Sequence, residues 1–373
     1  MESNVKWVKL KDFISAFDKK NTEGRDLPVY GLNKDNDFMP TVANMEGIDT
    51  SKYKILSKGV FAFNGMHVGR DIAIPIGKYN FNFDALISPA YTTFTINDNH
   101  DLLAEYFEVI IRLDEFDRLG WFYCDSSVRG GLDWKRFLEI EIPLPPIDEQ
   151  HKVVNVWSAF REIKEQNEAI AAPLMQVCQS YIQELKHKYE SVEIGDYISY
   201  SDERNDGNYS MEHVKGVSIE KKFIDTKANM EGVNVSSYKL VKPNSFCFVP
   251  ITSRNGDKIT MALNTTSSTY IVSTSYEVFY VKNSEKIIPE FLQMWFCKPE
   301  FDRYARFHSW GSAREAFSYD DMRRVRIPLP PIEVQRAIVN IYSCANEAKK
   351  IAEEADRKSR EVCPALIQHV INS

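Results

Sequence analysis

The residues that come nearest to catalytic spacing in this chain are Asp148-Glu149-Gln150-His151-Lys152. Two carboxylates and a lysine within five positions are the ingredients of a nuclease centre that holds a divalent metal and steadies developing charge. A second version, Glu333-Val334-Gln335-Arg336-Ala337, lacks the lysine and one carboxylate. Acids at the positive end of a helix account for both versions better than catalysis does. Other catalytic signatures are missing from the sequence. There is no Asn-Pro-Pro-Tyr type segment for flipping and methylating an adenine, no Gly-rich turn for S-adenosylmethionine and no GxxxxGK[ST] phosphate loop. Cys124, Cys178, Cys247, Cys297, Cys344 and Cys363 form no CxxC pair, and none lies near a histidine at metal-ligand spacing. They read as reduced, mostly buried thiols.

The elements that would position any site are written twice. Residues 141–155 read EIPLPPIDEQHKVVN and residues 326–340 read RIPLPPIEVQRAIVN, an offset of 185 (328 minus 143). The same offset joins Ala43-Asn44-Met45-Glu46-Gly47 to Ala228-Asn229-Met230-Glu231-Gly232, and Glu115-Phe116-Asp117-Arg118 to Glu300-Phe301-Asp302-Arg303. Such a period in 373 residues means two complete copies of one unit. It is far longer than the roughly 20 to 50 residues of a solenoid module.

Within each unit the texture changes once. Short runs such as Gly59-Val60-Phe61-Ala62-Phe63 and Tyr91-Thr92-Thr93-Phe94-Thr95-Ile96, broken by Asn, Asp and Gly, predict strands and turns, with a helix over Leu102 to Leu113. Pro143, Pro145 and Pro146 end this mixed α+β globule, and a helical pattern follows to His187. The expected organisation is two tandem mixed α+β domains, 1–146 and 188–331, followed by long helices over 147–187 and 332–373.

The first helix carries a heptad seam of Val153, Val156, Phe160, Ile163, Asn167, Ile170, Leu174, Val177 and Tyr181. Its counterpart is Ile338, Ile341, Ala345, Ala348, Ala352, Ala355, Ser359, Val362 and Leu366. Large residues in one helix face small ones in the other, which predicts a close pairing, with packing of each helix on its own domain as the alternative. Pro173 is expected to kink or restart the first helix. Packed antiparallel as a coiled coil, the helices give the repeats a pseudo-two-fold relation across a spacer of about 60 Å. Duplex DNA has a matching symmetry, because dimeric readers meet half-sites about one helical turn apart.

Composition sets the limits. At 43% hydrophobic and 27% charged residues, the chain reads as soluble and globular, with material for two cores. No apolar run approaches the roughly 18 residues of a membrane span, and the N-terminus has no basic-then-apolar leader, so a cytoplasmic location is expected. A net charge of −7 argues against a basic coat protein but is compatible with a locally basic DNA face.

The tandem pattern resembles the specificity (S) subunit of type I restriction-modification systems over essentially the whole chain. It rests on two domains closing in IPLPPIDEQ and IPLPPIEVQ, each followed by a long helix. The resemblance implies a non-catalytic subunit whose two target recognition domains each read half of a bipartite site on double-stranded DNA. It implies that the helices set the gap and bind two modification (methyltransferase) subunits. No cofactor is implied in this chain: S-adenosylmethionine belongs to the modification partners, ATP and Mg to separate restriction partners, whose presence stays open. The competing expectations are a stand-alone nuclease or methyltransferase, and a scaffold or decoy that binds modification subunits without reading DNA.

For base readout, the copies differ most where a loop could enter a groove. Gly65-Met66-His67-Val68-Gly69-Arg70-Asp71 stands against Thr252-Ser253-Arg254-Asn255-Gly256-Asp257-Lys258. Arg and Lys donate to guanine, Asn pairs with the edge of adenine, and Gly permits close backbone approach. His67, Arg70, Ser253, Arg254, Asn255 and Lys258 are the candidates, and a solvated exposed turn is the alternative. A second segment holds Ser126, Ser127, Arg129, Gly130 and Gly131 against Ser309, Gly311, Ser312 and Arg314. Ser127, Arg129, Ser312 and Arg314 suit phosphate positioning, with an internal ion pair as the rival for the two arginines. Trp121, Phe122, Trp134, Phe307 and Trp310 read as core or rim, and Tyr30, Lys34 and Lys215 as weaker DNA candidates.

Overall fold

Side chains on successive strand residues point to opposite faces, and the sequence Phe61-Ala62-Phe63 uses both. In the computed structural model, which describes residues 5–33, 35–66, 68–97, 101–125, 130–226, 228–252, 258–311 and 314–372, these residues form a central strand. Its sheet runs in the order 14–17, 92–96, 61–63, 76–78, antiparallel throughout. Phe61 and Phe63 face a core with the helices α2 (Ala104–Ile110), α3 (Asp114–Tyr123) and α4 (Trp134–Leu138). Ala62 faces a second cluster with Leu56, Tyr79, Ala85 and Ile87. That cluster includes a second sheet, ordered 38–40, 29–32, 85–87, 54–56, in which the 29–32 and 85–87 strands are parallel. A four-residue helix, α1 (Val68–Asp71), follows the Phe61–Phe63 strand.

The second half repeats this plan 185 residues on. Strands 198–201, 277–281, 245–248 and 261–263 form its antiparallel sheet. Phe246 and Phe248 pack against α6 (Pro289–Phe296), α7 (Pro299–Phe307) and α8 (Tyr319–Arg323), while Cys247 joins Val241, Val272 and Val278 on the other face. The single helix expected over Leu102–Leu113 is shorter, ending at Ile110, before α3 begins at Asp114.

The repeated IPL segments close each globule. Glu141–Leu144 pairs antiparallel with Lys6–Lys9, and Arg326–Pro328 with Ser191–Glu193. The repeated glutamines then fix the turn into the long helices α5 (Ile147–Lys188) and α9 (Ile332–Asn372). Gln150 is fully buried, accepts from the Leu103 N–H at 2.9 Å and donates to the carbonyls of Asp101 (2.7 Å) and Pro145 (2.9 Å). Gln335 makes the same three bonds to Ile288 N–H and the carbonyls of Lys286 and Pro330, at 3.0, 2.9 and 2.9 Å. A side chain with one acceptor and one two-proton donor satisfies three backbone groups at once, one of them, the proline carbonyl, in a buried bond and two in partly buried ones.

The chain divides into two compact units, 1–167 with 350–373, and 168–349. Each unit contains one globule, the first half of the helix that follows it and the second half of the other long helix. In the first unit Val153 and Trp157 of α5 share a core with Cys363, Ile367 and Val370 of α9, and Lys164 pairs with Asp356 at 2.8 Å, an antiparallel register. In the second unit Cys178, Ile182 and Leu185 meet Ile338. Neither helix is interrupted at its internal proline, Pro173 or Pro364, so the expected restart does not occur.

The heptad seam is correct only in part. Ala345, Ala348, Ala352 and Ala355 are buried as expected, but Ile163, Ile170, Val177 and Tyr181 are exposed, and burial passes to Cys178, Ile182 and Leu185. On α9 it likewise passes from Val362 to Cys363 and from Leu366 to Ile367. An α-helix drifts about 20° per heptad against a strict repeat of seven, so over many turns the inward face moves by one residue.

Candidate nucleic-acid interface

In each unit the described ends of the two segments singled out by sequence, with the residues flanking them, lie against one another. In the first, Leu132 N–H donates to the Gly65 carbonyl at 2.9 Å and Gly69 N–H to the Gly130 carbonyl at 2.7 Å. The approach requires glycine. A Cβ at Gly130 would sit 2.5 Å from the Cα of Gly69, one at Gly65 would sit 1.8 Å from the Leu132 oxygen, and Gly130 itself has φ +57°. Asp125 ties the second segment, donating from its N–H to the Gly131 carbonyl and accepting from the Gly131 N–H through its carboxylate at 3.2 Å.

In the second unit the same juxtaposition uses different chemistry. Thr252 N–H donates to the Glu315 carbonyl at 3.0 Å, and its hydroxyl donates to Ser309 Oγ at 2.9 Å. Ile251 and Trp310 each bridge to Ala316. Glu315 pairs with Arg306.

Behind these segments stands a matched pair of carboxylates. Asp117 accepts from the Ile74 N–H at 2.8 Å, and its counterpart Asp302 accepts from the Ile259 N–H at 3.1 Å. The surroundings differ. Asp302 also receives the buried Lys221 ammonium, whereas the position 185 residues before Lys221 is Asn36. Burial first, and Asp114 second, push the Asp117 carboxyl up to about 6 against the lowering effect of the Ile74 hydrogen bond.

Of the predicted site residues, Lys258 and Arg314 are exposed, and Arg70 belongs to α1 by its backbone. His67, Ser127, Arg129, Ser253, Arg254, Asn255 and Ser312 lie outside the described residues, as do Ser126, Lys34 and the side chain of Arg70. Tyr30 packs among Tyr79, Phe81 and Phe83, and Lys215 pairs with Asp225 at 2.5 Å. Trp134 is core, against Phe63, Phe94 and Phe137. Trp121, Phe122, Phe307 and Trp310 are all exposed, so a purely internal role is excluded for them. Among the described residues no cluster of His, Cys, Asp or Glu could hold a metal, and no helix is long and apolar enough to cross a membrane.

Two like units, each an α+β globule joined to long antiparallel helices, make up the described architecture. Residues 188–353 match the model of the type I restriction modification DNA specificity domain. The crystal structure of the type I restriction-modification system S subunit from M. genitalium is similar in fold, with a TM-score of 0.65 at 13% identity over 99% of this chain and 96% of that one. The HsdS subunit from Thermoanaerobacter tengcongensis aligns over 100% of this chain and 97% of its own at 14% identity, with a TM-score of 0.38. No curated protein matches the sequence. The family match bears out, over residues 188–353, the resemblance drawn from the repeated IPLPP segments.

Proposed function

We propose that this chain is the DNA-recognition subunit of a type I restriction-modification complex, in which each globule reads half of an asymmetric bipartite site. The observation that carries the reading is the doubling itself. Two units share their closing strands, glutamine clamps and carboxylate anchors, yet differ in sequence just before the anchored backbone: Met66 to Asp71 in one, Ser253 to Lys258 in the other. A common frame holding different polar loops suits two different half-sites. His67, Arg70, Ser253, Arg254, Asn255 and Lys258 are proposed to read base edges. Ser127, Arg129, Ser312 and Arg314 are proposed to position phosphates.

The long helices are proposed to set the gap and to dock two modification subunits. Those partners would supply S-adenosylmethionine and the adenine-methylating site, and any restriction subunits would use ATP and Mg. The chain itself would position DNA and hold no cofactor, in a cytoplasmic complex. The decisive experiment is expression with the modification subunit encoded beside it, in a methylation-free host, followed by long-read mapping of methylated bases. An asymmetric bipartite motif that requires both proteins is expected. A stable complex without methylation or sequence-dependent DNA binding would instead point to a scaffold or decoy.

A further inference from the structure

Helices α3 and α7 show the same outward face in both units. Their inward faces match at the 185-residue offset: Phe116 and Gly120 are buried on α3, Phe301 and Ala305 on α7. Residues four apart share a helix face, and the outward faces hold a second matched pair, Arg118 with Phe122 and Arg303 with Phe307. Phe122 is 77% exposed and Phe307 is 74% exposed. The Arg118 side chain is 67% exposed and reaches Glu115 in a solvent-screened pair, and Arg303 is exposed as well. The residues between them do not match, since Leu119 and Trp121 are replaced by Tyr304 and Arg306.

We infer that the Arg118–Phe122 and Arg303–Phe307 faces are sequence-independent DNA contacts, one in each unit, with the guanidinium on a backbone phosphate and the phenyl ring against the neighbouring deoxyribose. This rests on the recognition reading above. Three features favour duplex DNA as the occupant. A cation one helical turn from an exposed ring fits a polyanion whose phosphates alternate with apolar sugar surface. Each helix leads directly into the segment paired with the candidate reading loop, Asp125–Leu132 after α3 and Ser309–Ala316 after α7. Finally, the phosphate backbone is alike in every sequence, so residues that contact it can be identical in two units whose reading loops differ.

The test uses the full chain in complex with its modification subunit. Phe122→Ala, Phe307→Ala, Arg118→Ala and Arg303→Ala are compared with wild type for co-purification of the partner, for DNA affinity across salt concentrations and for the methylated motif. DNA affinity is measured on the specific duplex and on one with scrambled half-sites. Each phenylalanine variant is expected to bind both duplexes about tenfold more weakly, as partial burial of a phenyl ring implies, and Phe122→Trp to retain affinity. Each arginine variant is expected to lower the salt slope by about one. The motif and the co-purification stay unchanged. Unaltered affinity and salt slope would overturn the inference, and loss of the modification subunit would reassign these faces to protein docking. A wild-type complex that binds no DNA would refute the recognition reading itself, and the inference with it.

Discussion

The Asp117 carboxylate accepts a hydrogen bond from the Ile74 backbone at 2.8 Å, which fixes the end of the segment that begins at Gly65. Asp302 does the same for Ile259 in the second unit, but there Lys221, with a side chain only 5% exposed, lies against the carboxylate. One geometric task is thus performed by an acid without that lysine in one unit and by half of a buried ion pair in the other. The duplication preserved the backbone anchor while its electrostatics diverged.

The divergence gives the two acids opposite responses to neutralisation. Asp117 has its carboxyl raised to about 6, above the roughly 3.9 of an unfolded chain. The native state therefore holds this proton more tightly, and its contribution to stability is present at low pH and lost as pH rises from about 4 through about 6. Asp117→Asn keeps the acceptor for Ile74 and removes the titration. Relative to wild type, it is expected to gain about 1–2 kcal/mol across that window, partial exposure being allowed for. Asp302→Asn instead leaves the Lys221 ammonium unpaired and is expected to cost about 3 kcal/mol. Urea unfolding between pH 4 and 8 separates the two, and a pH-independent Asp117→Asn difference would refute the assignment.

The glutamine clamps predict a matched pair of losses. Gln150→Ala removes the side-chain bonds to the Leu103 N–H and the carbonyls of Asp101 and Pro145, and Gln335→Ala those to Ile288, Lys286 and Pro330. Each substitution is expected to cost about 1–3 kcal/mol, the cost of one orphaned buried group, since water can reach the two partly buried ones. Hydrogen exchange is the suitable measurement, because the first variant should lose protection around Leu103 and the second around Ile288. Loss in both places from either variant would contradict a local clamp.

Much of this organisation was legible because it is local or repeated. The offset of 185 and the prolines from Pro143 onward define two like units and two long helices without any knowledge of contacts. What escaped depends on distant residues. Gln150 could be recognised as repeated, but its role lies in groups 47 and 49 positions away. The glycines at 65, 69, 130 and 131 were visible as two clusters, whereas their mutual approach is a tertiary fact. The seam failed for a different reason. A repeat of seven was imposed on helices whose own period is 3.6, and the error accumulated toward Val177 and Tyr181.

For the reading loops, Arg70→Ala gives the sharpest expectation under the proposed function. A bidentate base contact is worth about 1–3 kcal/mol of discrimination. The variant is expected to relax or weaken the half-site read by the first unit and to leave the other unchanged. Methylation mapping of the co-expressed complex reads both half-sites in one experiment. An equal effect on both would show that Arg70 does not act through base recognition.

The proposed spacer role can be tested without disturbing helix packing if the deletion respects helix phase. Removing four residues turns the remainder by about 40°, but removing seven turns it by only about 20°. On α9 the buried alanines are themselves seven apart, Ala345 with Ala352 and Ala348 with Ala355, so a seven-residue deletion brings like onto like. Taken from both long helices, it shortens each by about 10 Å, equivalent to about three base pairs at 3.4 Å per step. The expected result is a methylated motif with the same half-sites and a gap about three base pairs shorter. If the variant complex assembles and methylates with the original gap, the helices do not act as the ruler, and the spacing must be set elsewhere in the complex.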